Sequence, residues 1–196
     1  MGSKVGAVSG TPAGDEELAA TLRTLSGPEP IPVDVAAIVE RAMAEHPKAL
    51  ASFIPRLVQL MYCEEQAVAQ ACARALPALT KVTPAKVGKH IATLSDGFIG
   101  ASDTAKQGTV DTFVGLSAAS VAYQKRVIGT LVAALREAEL DIMVSWATAM
   151  LPTLKGEPYA AARSQVEARL AQMPRQQGQE IARRLGITYR GRPVPG

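Results

Sequence analysis

The sequence predicts an all-α fold, an α-α superhelix (a solenoid) of helix pairs repeating every 37 residues or so, and three observations predict it. Proline stands at Pro47, Pro84 and Pro158 with Val121 in the vacant slot, so successive marks are 37 residues apart. Apolar residues keep the same step: Ile54, Ile91 and Ile128, then Leu57, Leu94 and Leu131, then Met61, Phe98 and Leu135. Inside each copy the apolar positions fall at i, i+3 and i+4, the spacing of one helix face, and no strand-like alternation competes with it. A unit this short cannot bury its apolar face alone and has to lean on its neighbours.

The elements follow in order. An opening helix over 15–25, carrying Leu18, Leu22 and Leu25, pairs with a helix over 33–45. First helices are expected over 48–61, 85–99, 122–137 and 159–173, and their partners over 33–45, 66–80, 103–118 and 140–154, with a closing helix over 177–185. Proline suits the first helical position because that N–H has no intrahelical partner anyway. His46, Thr83, Ser120 and Glu157 precede the proline position, and the hydroxyls of Thr83 and Ser120 suit the orphan N–H groups of a helix start. Asp103 and Asp141 place negative charge at the heads of two partner helices, the positive ends of their dipoles. The partner helices carry their own stripe: Val35, Cys72 and Thr109, then Val39, Leu76 and Phe113, then Ala42, Leu79 and Leu116, continued one residue late by Ala147, Leu151 and Leu154. The turn from Leu135 to Met143 is one residue longer than its predecessor and the next turn one shorter, which returns Pro158 to the frame.

The phrases FIPRLVQLM, HIATLSDGF and VIGTLVAAL, with their partners VAQACARALPAL, AKQGTVDTFVGL and MVSWATAMLPTL, resemble the HEAT and armadillo-like helical repeats over residues 15–185. HEAT units often carry an aspartate between their helices, near which Asp103 and Asp141 fall, and an arginine in the second helix, which does not recur here. The resemblance therefore implies an armadillo-like solenoid without a subtype. Residues 1–14, rich in small residues, are expected to be a disordered N-terminal segment, and 186–196 a basic tail containing proline and glycine.

Hydrophobic residues make up 47% of the chain and aromatics only 4%, so Ala, Leu, Val and Ile must fill the layers. No run reaches the roughly 18 apolar residues of a membrane-spanning helix, and residues 1–17 have no signal-peptide core, so a cytoplasmic protein without a membrane partner is expected. The two cysteines, Cys63 and Cys72, read as free thiols. With His46 and His90 as the only histidines, no metal set is expected. No phosphate loop, nucleophile elbow or acid–base couple occurs, and neither a cofactor nor catalysis is expected.

Two surfaces keep the repeat. Lys89, Arg126 and Arg163 are 37 residues apart and, with Lys86 and Lys125, form a basic ladder on successive first helices, facing phosphates, an acidic partner or only solvent. Outward positions of the partner helices, Gln70, Arg74, Gln107, Asp111, Ser145 and Thr148, suit a concave groove for a helical or extended segment, or an ordinary wet face. Trp146, the sole tryptophan, either packs over the space left by Gly108 or anchors a ligand in that groove.

A solenoid is mostly surface, so the expected function is a non-enzymatic scaffold or adaptor binding another protein, with end-to-end self-association where the terminal helices cap incompletely. The alternative is a nucleic-acid-binding protein resembling the HEAT-like DNA glycosylases, in which Asp141 near Trp146 would echo the acid beside an aromatic. A resemblance to HEAT-like phycobilin lyases would imply a tetrapyrrole site, which no residue here identifies.

Overall fold

Apolar stripes at helical spacing become helices throughout the computed structural model, which describes residues 35–189. In chain order they are α1 (Val35–Glu45), α2 (Pro47–Leu50), α3 (Ile54–Leu60), α4 (Gln66–Val82), α5 (Pro84–Val87), a 3₁₀ turn at Gly88–His90, α6 (Ile91–Phe98), α7 (Asp103–Ala119), α8 (Val121–Glu137), α9 (Leu140–Met150), a 3₁₀ turn at Leu151–Thr153, α10 (Gly156–Leu170) and α11 (Arg175–Arg184). No strand occurs among the described residues. The expected opening helix over 15–25 and the segment 1–14 lie outside them, as do residues 190–196 of the tail.

The chain lies down in two rows. In one, α1, α4 and α7 pack side by side and α9 follows; in the other, α6, α8 and α10 do the same, α3 packs on α4 and α11 closes against α10. The core between the rows is the predicted stripe: Leu57, Leu94 and Leu131, Val35, Cys72 and Thr109, and Val39, Leu76 and Phe113 are all fully buried. Ile128 alone of the two sets is only partly buried.

Between Tyr62 and Thr130, five facing pairs share one offset. Ala73 meets Gly108, Thr80 meets Gly115, Tyr62 meets Gly97 and Tyr123 meets Gly88, each pair 35 residues apart. Thr130 donates its hydroxyl to Ser95 at 2.9 Å across the same separation. Glycine is required where the neighbour is backbone and cannot give way, because a Cβ on Gly108 would lie 2.6 Å from the Ala73 Cβ and 2.8 Å from its Cα. The closeness of α4 and α7 thus depends on residues that cost a helix about 1 kcal/mol each relative to alanine.

Several sequence expectations are corrected. The first helices over 48–61 and 85–99 are not continuous. Pro55 has no N–H for a bond to Ala51 and its ring blocks that carbonyl, so the chain breaks into α2 and α3. The second breaks at the 3₁₀ turn Gly88–His90, where the Tyr123 ring presses on Gly88. By contrast α8, with Val121 in place of the proline, runs unbroken for 17 residues, and α10 for 15. Ser120 caps α8, accepting from the Ala122 N–H at 3.2 Å, whereas Thr83 makes no side-chain cap.

The frame also changes at its last step. α10 starts at Gly156, in the left-handed region at φ +58°, and Pro158 is its third residue, still within the first turn where no intrahelical N–H bond is lost. Its buried face, Ala162, Val166 and Leu170, lies 35 residues beyond Val127, Leu131 and Leu135. Pro158 therefore keeps the 37-residue count while the helix that contains it does not.

Two long side chains lock the late units together. Gln124 is buried and fully used: its Nε2 donates to the carbonyls of Ser117 (3.0 Å) and Thr153 (2.8 Å), and its Oε1 accepts from the Lys155 N–H (3.0 Å). Arg169 of α10 reaches the end of α8, donating to the carbonyls of Leu135, Arg136 and Ala138 at 3.1, 2.6 and 2.9 Å. A cation on orphan carbonyls at the negative end of a helix dipole caps it from outside.

Candidate functional site

The row of partner helices opens into a cleft of about 660 Å³ between α7 and α9, with Gln70, Ala73 and Arg74 of α4 along one wall. Its cause is a size change at one repeat position. Gly108 on α7 admits α4, whereas its counterpart on α9 is Trp146, whose indole stands between the two helices. The Trp146 Nε1 donates to Gln107 Oε1 at 2.7 Å, and Gln107 Nε2 donates to Asp111 Oδ1 at 2.9 Å. Phe98, from the end of α6, packs its ring at 59° to the indole with centroids 6.4 Å apart.

The cleft floor is therefore apolar, with Phe98, Ala134 and Trp146 below and Ile142, 37% exposed, at one side. The rim is acidic. Asp103, Asp111, Glu137 and Glu139 line it against the cations Arg74 and Lys106. Arg74 is already paired with Glu40 across α1 and α4, and Glu137 with Arg136 at 3.1 Å, both pairs well exposed to solvent. The helix order explains the location: α7 and α9 start here, and Asp103 and Asp141 sit in their first turns at the positive dipole ends.

Of the groove residues predicted from sequence, Gln70, Arg74, Gln107, Asp111 and Trp146 come together on this cleft. Ser145 and Thr148 do not; they are exposed elsewhere on α9, and the Thr148 hydroxyl donates to its own helix at the Val144 carbonyl (2.7 Å). Trp146 does not fill the space beside Gly108, which Ala73 and Met61 occupy. It is 4% exposed, so its structural role and its place on the cleft floor coexist. Sequence reasoning missed Phe98, Glu137, Glu139 and Ile142, which come from helix ends and turns; only the 37-residue spacing of Phe98 to Leu135 hinted that an aromatic ended α6.

The basic ladder divides. Lys86, Lys89, Lys125 and Arg126 are exposed on α5, the 3₁₀ turn after it and α8. Arg163 leaves the series because α10 is in the shorter frame: it donates to Glu167 at 2.8 Å and to the Thr188 carbonyl at 3.0 Å. The Glu167 hydrogen bond raises its pKa further. His90, beside Lys89, has its pKa lowered by partial burial and then by that lysine.

Cys63 and Cys72 are both free thiols. Burial pushes the Cys72 thiol up to about 12, with a smaller further rise from Cys63 and a smaller lowering from Arg56. Burial likewise raises Tyr62, whose hydroxyl donates to the Leu94 carbonyl at 3.2 Å and shares a hydrogen bond with Thr109 at 3.1 Å. Among the described residues no group of three or more His, Cys, Asp or Glu is placed to hold a metal ion. No protein-family model, curated protein or solved structure matches the chain.

Proposed function

We propose that this chain is a non-enzymatic, cytoplasmic scaffold, a short armadillo-like superhelix whose cleft between α7 and α9 receives a segment of a partner protein. The 35-residue offset shared by five facing pairs, spread over both rows as far as α7 and α8, supports the superhelix, since repeating one unit-to-unit displacement generates one. Two free thiols, one buried, suit a reducing compartment.

The observation that carries the binding reading is the cleft itself, with an apolar floor of Phe98 and Trp146 beneath a rim of Asp103, Asp111, Glu137 and Glu139. A floor of this kind takes an apolar anchor and a rim of this charge takes flanking lysine or arginine. The volume, about 660 Å³, is that of a site for a few side chains rather than for a whole domain. The aromatic is not offered for base stacking, because the Trp146 indole is buried and its N–H is committed to Gln107.

A fluorescent peptide library with an apolar residue flanked by lysine, glutamate or serine tests this reading. Lysine-flanked peptides should bind best, and the double variant Glu137→Lys/Glu139→Lys should lose them at unchanged melting temperature. Equal binding of the glutamate-flanked set, or retention by the double variant, would sink the assignment of partner chemistry.

A further inference from the structure

The edge opposite the cleft carries the turns that lead from each partner helix into the next first helix. Lys81 and Val82 end α4, Lys86 and Lys89 follow, Val121, Lys125 and Arg126 belong to the first turns of α8, and Lys155 precedes α10; all are exposed. Packing brings these turns side by side. Thr80 lies against Gly115 near the ends of α4 and α7, the Tyr123 ring lies on Gly88, and Gln124 ties the start of α8 to Thr153 and Lys155. The strip thus gathers six cations with Glu157 among them, and the α1–α2 turn adds Lys48 and Glu45, the latter paired with Arg41. Among the described residues none of the six cations takes part in an ion pair.

Two features of the strip discriminate between anionic partners. Val82 and Val121 are 40% and 50% exposed, large apolar side chains standing among the cations. A phosphodiester backbone makes no use of them, whereas the boundary between headgroups and acyl chains does. Five of the six cations are lysines, compact hydrated charges that respond to a diffuse negative field rather than to bidentate recognition. Tyr123 and Tyr159, the aromatics at this edge, are both partly buried, Tyr123 with its ring against Gly88 and Tyr159 packed against the core, so no stacking platform for bases is presented.

We propose that this edge rests on an anionic bilayer surface, Lys81, Lys86, Lys89, Lys125, Arg126 and Lys155 facing the headgroups and Val82 and Val121 entering the boundary layer. Nothing in this requires a spanning segment, and none of the described helices is long and apolar enough to be one. The sequence expectation of no membrane partner rested on that absence and does not bear on a surface contact. α7 separates the two surfaces: the cleft reaches along it only to Asp111, about 12 Å of helix short of its end at the basic edge. A molecule lying on its basic edge keeps the cleft turned to solvent and to a partner.

Flotation of the full chain with phosphatidylcholine vesicles, with and without phosphatidylserine, tests the proposal. Binding is expected only with phosphatidylserine and should be lost as salt rises, since the attraction is screened. The triple variant Lys86→Ala/Lys125→Ala/Arg126→Ala should weaken partitioning on the order of a hundredfold, each cation contributing about fivefold. Val121→Ser should weaken it several-fold at unchanged charge, which keeps the proposal falsifiable if the triple variant misfolds. Equal flotation with neutral vesicles, indifference to salt, or tighter binding to a DNA or RNA duplex than to anionic vesicles would overturn it. The peptide assay on the cleft is independent of these variants, so either result stands without the other.

Discussion

The interface between α4 and α7 and the interface between α7 and α9 start from the same repeat and end differently. In the first, Gly108 and Gly115 let the helices close onto Ala73 and Thr80. In the second, Trp146 stands at the position equivalent to Gly108, hydrogen-bonds to Gln107 and leaves a cleft. One residue of each size at one position therefore makes one crossing a sealed piece of core and the next a surface with an entrance. Repetition supplies the scaffold here, and the departure from repetition supplies the candidate site.

Substitution at the open interface should have the largest effect. Trp146→Ala removes a buried indole and its hydrogen bond, and an expected loss of about 3–5 kcal/mol should appear as a large fall in Tm. If the cleft is only what Trp146 props open, peptide binding should fall with it. An unchanged Tm would break the account of Trp146 as the prop.

The sealed interface gives the next largest. Gly108→Ala drives a Cβ against the Ala73 backbone, and overpacking should outweigh the gain in helix propensity, with a net loss of about 1–3 kcal/mol. Gly129→Ala on α8 is the matched control, because nothing lies within 4 Å of the place its new methyl group would take, and stability should rise by about 1 kcal/mol. Denaturant melts in which both substitutions shift stability in the same direction would remove the steric explanation of the α4–α7 contact.

Gln124→Ala tests what holds the units beyond the cleft. It strips partners from the Ser117 and Thr153 carbonyls and the Lys155 N–H, and a loss of about 1–3 kcal/mol is expected. Faster hydrogen exchange should concentrate in α9 and the start of α10, leaving α4 and α7 protected. Uniform acceleration would show that the two interfaces are not separately stabilised.

The smallest effect is titration. The His90 pKa is lowered in the folded state, so the unfolded chain binds the proton more readily. Its contribution is intact above the ordinary histidine pKa near 6.5 and is lost as pH falls through the folded value. His90→Gln should flatten that part of the stability–pH profile slightly, and an unaltered profile would remove His90 from the account.

Much of this was legible in the chain. The stripes through Leu57, Leu94 and Leu131 and through Val39, Leu76 and Phe113 named the core because burial on one helix face imposes its period on the sequence. Gln70, Arg74, Gln107, Asp111 and Trp146 were legible as a groove for the same reason, since outward positions repeat as regularly as inward ones. Arg163 was misplaced because counting from Pro158 follows residue number, while helix phase follows the turn that precedes it, and that turn ends at Gly156. Glu137 and Glu139 were not legible as part of the groove because they stand at a helix end and in the turn after it, where no periodicity says what a residue faces.

By itself, then, the sequence determined helices, their pairing and the residues between the rows, because each is set by local propensity and a periodic need for burial. Tertiary structure alone decided that α4 and α7 close while α7 and α9 part. It also decided that acids from α7, from the end of α8 and from the turn after it meet over Phe98 and Trp146, and that lysines from successive turns share the opposite edge. Those outcomes depend on distances between segments far apart in the chain, and such distances are set by the size of single side chains at each crossing.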